Sequence, residues 1–186
     1  VTNAARPRVV GHFREVPDGY ANGVVDVEAF GDGVVVVEPA TGLFAVDVSR
    51  PATPHEIDRV ETGGTAHDVG VFDDRAYVAT GWATSTADVH DPGRCRWLEH
   101  DPMAASFAKV SGEMLFTSRS GLFARQTWWR ELRRAGARGG IDVSVEDVAS
   151  AGSYAYLAGV SPGGGLDVYD LRNPERPVKT ASFFSP

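Results

Sequence analysis

Four twelve-residue segments of this chain follow one plan. They are Asp26–Val37 (DVEAFGDGVVVV), Asp68–Ala79 (DVGVFDDRAYVA), Ser106–Thr117 (SFAKVSGEMLFT) and Asp147–Ala158 (DVASAGSYAYLA), and their starts lie 42, 38 and 41 residues apart. In each, an apolar run leads into a polar turn, and a second run rich in Val, Tyr, Leu or Phe comes after it. The turns are GDG, DDR, SGE and GSY. Gly, Asp and Ser supply tight-turn geometry, so each segment predicts a β-hairpin. A hairpin cannot bury its own apolar face. A chain that repeats one at a fixed period is expected to stack the copies.

The segments after the hairpins complete the unit. Gly42–Pro54 (GLFAVDVSRPATP) comes after the first and Gly165–Pro177 (GLDVYDLRNPERP) after the fourth, with Gly, Leu, Asp, Pro and Pro at matching places. Leu43–Val46 and Leu166–Tyr169 predict a third strand. Asp47 and Asp170 stand near its end, where a carboxylate bonds backbone N–H groups of the next turn. Pro51 and Pro174 then stop the ladder, and a second proline three residues on precedes a fourth strand, His55–Val60 or Val178–Phe183. After the third hairpin Gly121–Arg125 begins the same way and diverges; after the second, Ala87–Pro92 keeps only Val, Asp and Pro. Arg6–Phe13 also reads as a fourth strand, since Pro7 precedes it as Pro54 precedes His55.

The units therefore lie near residues 24–60, 66–100, 104–138 and 141–184. Four strands in about 40 residues is the period of one β-propeller blade. The expected fold is all-β: a single propeller over residues 1–186, or part of a larger ring, built from four such repeats. A β-sandwich would not require the same hairpin and turn four times. The one stretch with helical spacing is Thr127–Ala135.

Composition narrows the function classes. A net charge of −7 argues against a protein-wide attraction to nucleic acid or anionic lipid. The lone Cys95 excludes an internal disulfide and any multi-cysteine zinc site. No apolar run reaches the roughly 18 residues of a membrane helix. The first residues, VTNAARPRVV, lack the apolar centre of a signal peptide.

The hairpin DVGVFDDRAYVA together with GLFAVDVSRPATP resembles the LVIVD repeat of bacterial and archaeal β-propeller proteins. The fourth unit is the best match, the first and second hairpins are good ones, and in the third Ser106 stands in place of Asp. The resemblance implies a propeller and a surface or secreted location. It implies no catalytic residue pattern.

Asp26, Asp68 and Asp147 head the first strand in three units. In a propeller that strand lines the central channel, so these carboxylates are candidate ligands for a divalent cation, the one cofactor that the residues suggest. The competing reading has each Asp bond backbone within its own repeat. His67, beside Asp68, points to the opposite strand face and makes a poor catalytic couple with it. His90, Cys95 and His100, spaced by five, match no familiar metal-ligand spacing. The stretch from Arg119 to Arg138 carries six Arg against one Glu, a local charge of +5 in an acidic protein. Within it Arg125, Trp128, Trp129, Arg130, Arg133 and Arg134 are candidate binding residues, because Arg and Trp are favoured at contact hot spots. The expectation is a non-catalytic scaffold that binds a protein or a small acidic ligand. The alternative is a metal-assisted hydrolase or lyase at the channel mouth.

Overall fold

The computed structural model describes residues 6–13, 23–101, 107–111, 114–118, 122–126, 145–159, 165–173 and 176–184. Its strands form four antiparallel sheets, each in chain order. The first holds β1 (Asp26–Phe30), β2 (Gly33–Glu38), β3 (Gly42–Asp47) and β4 (His55–Val60). The second holds β5 (Asp68–Phe72), β6 (Arg75–Ala79), β7 (Thr84–Asp88) and β8 (Arg96–Asp101). The third holds, among the described residues, β9 (Phe107–Ser111), β10 (Met114–Ser118) and β11 (Leu122–Gln126). The fourth holds β12 (Asp147–Ala151), β13 (Tyr154–Ala158), β14 (Leu166–Asp170) and β15 (Val178–Phe183). Helix among the described residues is limited to one 3-10 turn, Pro92–Arg94. Thr127–Ala135 lies outside the described residues.

The inner strands β1, β5, β9 and β12 touch in succession, so the sheets succeed one another as propeller blades. Each β1-type hairpin closes across two residues: Phe30 opposes Gly33, Phe72 opposes Arg75, Ser111 opposes Met114 and Ala151 opposes Tyr154. Such turns need positive φ, which Gly31 (51°), Asp73 (54°) and Gly152 (58°) adopt. A bulge interrupts the third-to-fourth strand pairing at Ala45/Val46, Thr86/Ala87 and Val168/Tyr169, the same place in three blades.

These registers correct the sequence alignment of the third unit. Ser111 pairs with Met114, so the hairpin closes one residue later than SGE suggests. Phe107 and not Ser106 therefore occupies the position of Asp26, Asp68 and Asp147. In a strand a one-residue slip exchanges the two faces, so the difference matters for every side chain in the blade. A second correction concerns Arg6–Phe13. Residues 6–13 form no strand. Gly11 lies against the turn at Pro51, where an added Cβ would sit 2.0 Å from the carbonyl oxygen.

Each blade has a forward face toward the next blade and a back face toward the previous one. Val35, Val37 and Leu43 on the first blade's forward face pack on Val69, Ala76, Val78, Ala87 and Val89 of the second. Tyr77 and Ala79 then pack on Ala108 and Leu115, and Phe116 packs on Val148, Ala155, Leu157, Tyr169 and Leu171. Strand β2 (GVVVVE) is continuously apolar because both its faces are covered: Val36 joins Phe44, Val46 and Phe13 on the back of the first blade. Each fully buried side chain of this kind contributes about 1.5–3 kcal/mol relative to exposure.

Gly70 on β5 sets how closely two inner strands approach. A Cβ there would lie 2.8 Å from Val110 N and 3.0 Å from Ala108 O, both backbone atoms of β9. Gly70→Ala is expected to push the two strands apart and lower stability by about 1–3 kcal/mol, read from urea unfolding.

Candidate functional site

The heads of the inner strands form a row of charged side chains beside the axis, and most of it is spent on holding blades together. The Asp26 carboxylate on β1 accepts the Val69 N–H of β5 through Oδ2 at 2.9 Å. Asp68 repeats the move one blade on, accepting the Ala108 N–H of β9 through Oδ2 at 2.8 Å. An inner-edge amide has no further strand to pair with, so the carboxylate of the preceding blade satisfies it. Each of these two aspartates thus reaches into the next repeat.

The row changes where Phe107 stands. Phenylalanine offers no acceptor, and the corresponding amide, Val148 N–H, is taken by its own neighbour, Asp147 Oδ1, at 2.8 Å. Asp147 Oδ1 also pairs with the Lys109 ammonium. That ammonium holds the Asp147 carboxyl below the usual range. Further along the same strands Ser150 donates its N–H to Ser111 Oγ and its hydroxyl to Ser111 O, both at 2.8 Å.

Asp26 and Asp68 are also hydrogen-bonded to each other. Two carboxyls in contact cannot both be charged cheaply, and burial adds to the cost. Burial first, then the bond to Asp26, pushes Asp68 up to about 8, so near neutral pH it keeps its proton and donates to Asp26. Glu28, on the same face of β1, is raised by burial and by Asp26, against the opposing pull of Lys109.

The three sequence-predicted metal candidates therefore have different partners. Among the described residues no three His, Cys, Asp or Glu side chains are grouped to hold a metal ion. His67 is exposed, and its backbone N–H bonds Ala79 O at 2.8 Å. His90 Nδ1 pairs with Asp74 Oδ2 at 2.8 Å, while His100 Nδ1 meets Ser85 Oγ at 2.8 Å. The Cys95 N–H goes to Asp58 Oδ2 at 2.8 Å. Burial, then Asp58, pushes the Cys95 thiol up to about 11, which leaves it protonated and weakly nucleophilic at neutral pH. Of the Arg–Trp candidates, Arg125 lies on β11, and Trp128, Trp129, Arg130, Arg133 and Arg134 lie outside the described residues.

A second aspartate series ends the third strands. Asp47 Oδ1 accepts Ser49 N–H at 2.7 Å and Asp170 Oδ1 accepts Arg172 N–H at 2.9 Å, as their positions predict. Asp88 Oδ1 does the same for His90 N–H at 3.1 Å, although the surrounding sequence departs from the pattern. The succeeding turns close alike, by Thr53 N–H to Arg50 O, Arg94 N–H to Asp91 O and Arg176 N–H to Asn173 O. Between the turns of the first two blades lies an open cleft of about 430 Å³, lined by Phe30, Asp47, Ile57, Asp73, Asp74 and His90. No sequence signal marks it, because its walls come from turns about 40 residues apart.

The family model "LVIVD repeat" matches residues 19–62 and 142–183. The chain thus carries the LVIVD repeat in these two regions. The matches fall on the first and fourth blades, and the second and third share their architecture with shifted or altered turns. No curated protein matches this LVIVD-repeat chain. Among solved structures, a functionally unknown protein from Desulfotomaculum acetoxidans is 15% identical with a TM-score of 0.73, over 97% of this chain and 61% of that one. The computationally designed Ika8 protein is 9% identical with a TM-score of 0.63, over 89% and 50%. The Neurospora crassa Pan2 WD40 domain is 14% identical with a TM-score of 0.61, over 88% and 52%. The LVIVD-repeat chain thus spans between half and three-fifths of these structures, and they establish its fold alone. No helix among the described residues is long and apolar enough to cross a membrane.

Proposed function

We propose that this repeat β-propeller scaffold acts as a non-catalytic binding module. The supporting observation is the use made of its most chemical-looking residues: Asp26 and Asp68 hold the amides of neighbouring blades. Carboxylates committed in this way are poor nucleophiles and poor metal ligands. The rigid ring then serves to present loops, where binding residues concentrate.

The contact surface we assign is the segment holding Arg125, Trp128, Trp129, Arg130, Arg133 and Arg134, and the ligand class is an acidic protein segment or small acidic ligand. Its excess of arginine stands out in a chain of net charge −7. Arginine binds carboxylates in a bidentate fork, and tryptophan adds desolvated area beside it. Titrating the protein with a poly-glutamate peptide is expected to change tryptophan fluorescence and to bind more weakly as salt rises. The triple variant Arg130→Glu, Arg133→Glu, Arg134→Glu is expected to abolish the response. A response that survives charge reversal would sink this assignment. The metal-assisted alternative is tested on the same sample: a rise in Tm with calcium or magnesium that is lost in Asp147→Asn would favour it.

A further inference from the structure

The aspartates that end the third strands serve two kinds of donor, and the first blade supplies only one of them. In the second blade Asp88 Oδ1 accepts the His90 N–H, and Oδ2 takes the Arg96 guanidinium through Nε at 3.2 Å and Nη2 at 2.9 Å. In the fourth, Asp170 Oδ1 accepts the Arg172 N–H, and Oδ2 takes the same residue's guanidinium through Nε at 2.8 Å and Nη2 at 2.5 Å. Arg96 opens the fourth strand opposite Asp88, and Arg172 stands two residues after Asp170. The first blade has His55 at the former place and Ser49 at the latter. Asp47 Oδ1 accepts the Ser49 N–H like the rest of the series, and the Ser49 hydroxyl adds a bond to the same carboxylate. Its Oδ2 comes no nearer than 4.0 Å to His55 Nε2. Among the described residues no guanidinium is bonded to it. The Asp47 side chain is accordingly 32% exposed, against 24% for Asp88 and 10% for Asp170.

Asp47 also lines the cleft of about 430 Å³ between the first two blades. Asp32 and Asp47 enter it from the first blade, Asp73 and Asp74 from the second, and the one basic group among the lining residues is His90, bonded to Asp74. Phe30, Ile57 and Pro92 supply apolar wall, and Ile57 is 39% exposed. Carboxylates above an apolar wall suit a cation carried on an apolar stem. Arginine suits it better than lysine, because its planar fork matches a carboxylate and its weakly hydrated guanidinium lies well on an aromatic face. The chain itself uses this combination where Arg59 lies 5.0 Å over the Phe44 ring and forks onto Glu56 through Nε at 2.7 Å and Nη2 at 2.8 Å.

We propose that this cleft receives an arginine side chain from a basic segment of a partner protein, its guanidinium taking on Asp47 the place that Arg96 and Arg172 take on Asp88 and Asp170. The stem would lie along Phe30 and Ile57, and Asp32, Asp73 and Asp74 would favour further positive charge beside it. This surface is opposite in charge to the Arg–Trp segment and does not depend on that assignment.

Fluorescence polarisation of a dye-labelled peptide with two arginines in a glycine–serine background tests this. At about 150 mM salt, charges far from the site are screened. Saturable binding with a Kd below about 1 mM is expected, and a lysine version of the peptide is expected to bind about 10-fold more weakly. The pair Asp47→Asn and Asp73→Asn keeps the turns, since asparagine accepts the same backbone N–H and tolerates positive φ. It is expected to weaken binding on the order of 10- to 100-fold. The pair Glu61→Gln and Glu146→Gln removes as much charge from exposed residues outside the cleft and is expected to leave binding unchanged. His55→Arg gives the first blade the second blade's arginine and is expected to compete with the peptide, weakening it about 10-fold. That variant alters one exposed side chain and decides the matter should the asparagine pair unfold. No binding below about 1 mM, equal affinity for the two peptides, equal loss in the two pairs of substitutions, or binding untouched by His55→Arg overturns the proposal.

Discussion

Phe116→Ala is expected to lower stability by about 3–5 kcal/mol, the cost of removing a large side chain from a packed core. Phe116 is fully buried and is the third blade's contribution to the cluster formed with Val148, Leu157 and Tyr169 of the fourth. The junction it fills also lacks the aspartate staple, because Phe107 stands at the staple position. Apolar packing and the Ser111–Ser150 bonds therefore carry more of this junction than of the other two. Chemical denaturation monitored by far-UV circular dichroism measures the loss, and a change in m-value would show the fourth blade parting before the rest. A loss below about 1 kcal/mol, the size expected of a surface change, would mean that the blades do not meet there.

The second large effect is at Asp68, and its sign depends on the replacement. Asp68→Ala strands the Ala108 N–H and removes the donor to Asp26, at a cost of about 1–3 kcal/mol for the unsatisfied buried group. Asp68→Asn preserves both bonds: the amide oxygen accepts Ala108 N–H and the amide nitrogen donates to Asp26. The wild-type residue achieves this only while protonated. Its folded-state value is raised to about 8 from the ordinary 3.8, so the native state binds the proton more tightly than the unfolded chain does. The stability this supplies is full below about 3.8 and is lost progressively as pH rises through about 8. Asparagine does not titrate. The variant's Tm is expected to match wild type near pH 4 and to exceed it increasingly toward pH 8. A Tm difference that does not move with pH would contradict the shared-proton arrangement.

How far these features can be read from residues alone depends on how local they are. The first, second and fourth hairpins and the third strands of the first and fourth blades lie where turn residues and alternation put them, and the fourth strands His55–Val60 and Val178–Phe183 match residue for residue. Turn chemistry acts within four residues, so it is visible in one stretch of chain. The third unit slips by one residue in the sequence alignment because Ser111, Gly112 and Glu113 are all acceptable turn residues, and only pairing across the hairpin decides among them. Asp26, Asp68 and Asp147 are recognisable as a set, but their partners are not. Those partners are amides 43 and 40 residues downstream for the first two, and Lys109, 38 residues upstream, for the third. A carboxylate that caps a turn and one that staples a neighbouring blade look the same in sequence; the path of the next strand distinguishes them. The cleft beside Phe30 and His90 is invisible for the same reason.

Amide hydrogen exchange at Val69 and Ala108 tests the joining of blades through their inner strands most directly. Both N–H groups face the inner edge of a sheet, where a lone blade would leave them to water, and both are held by the preceding blade's aspartate. Slow exchange at both is the expected result, with Asp26→Ala releasing Val69 alone and leaving its strand neighbours protected. Fast exchange at Val69 and Ala108 in the unaltered protein would contradict it, since the blades would then not be joined through their inner strands.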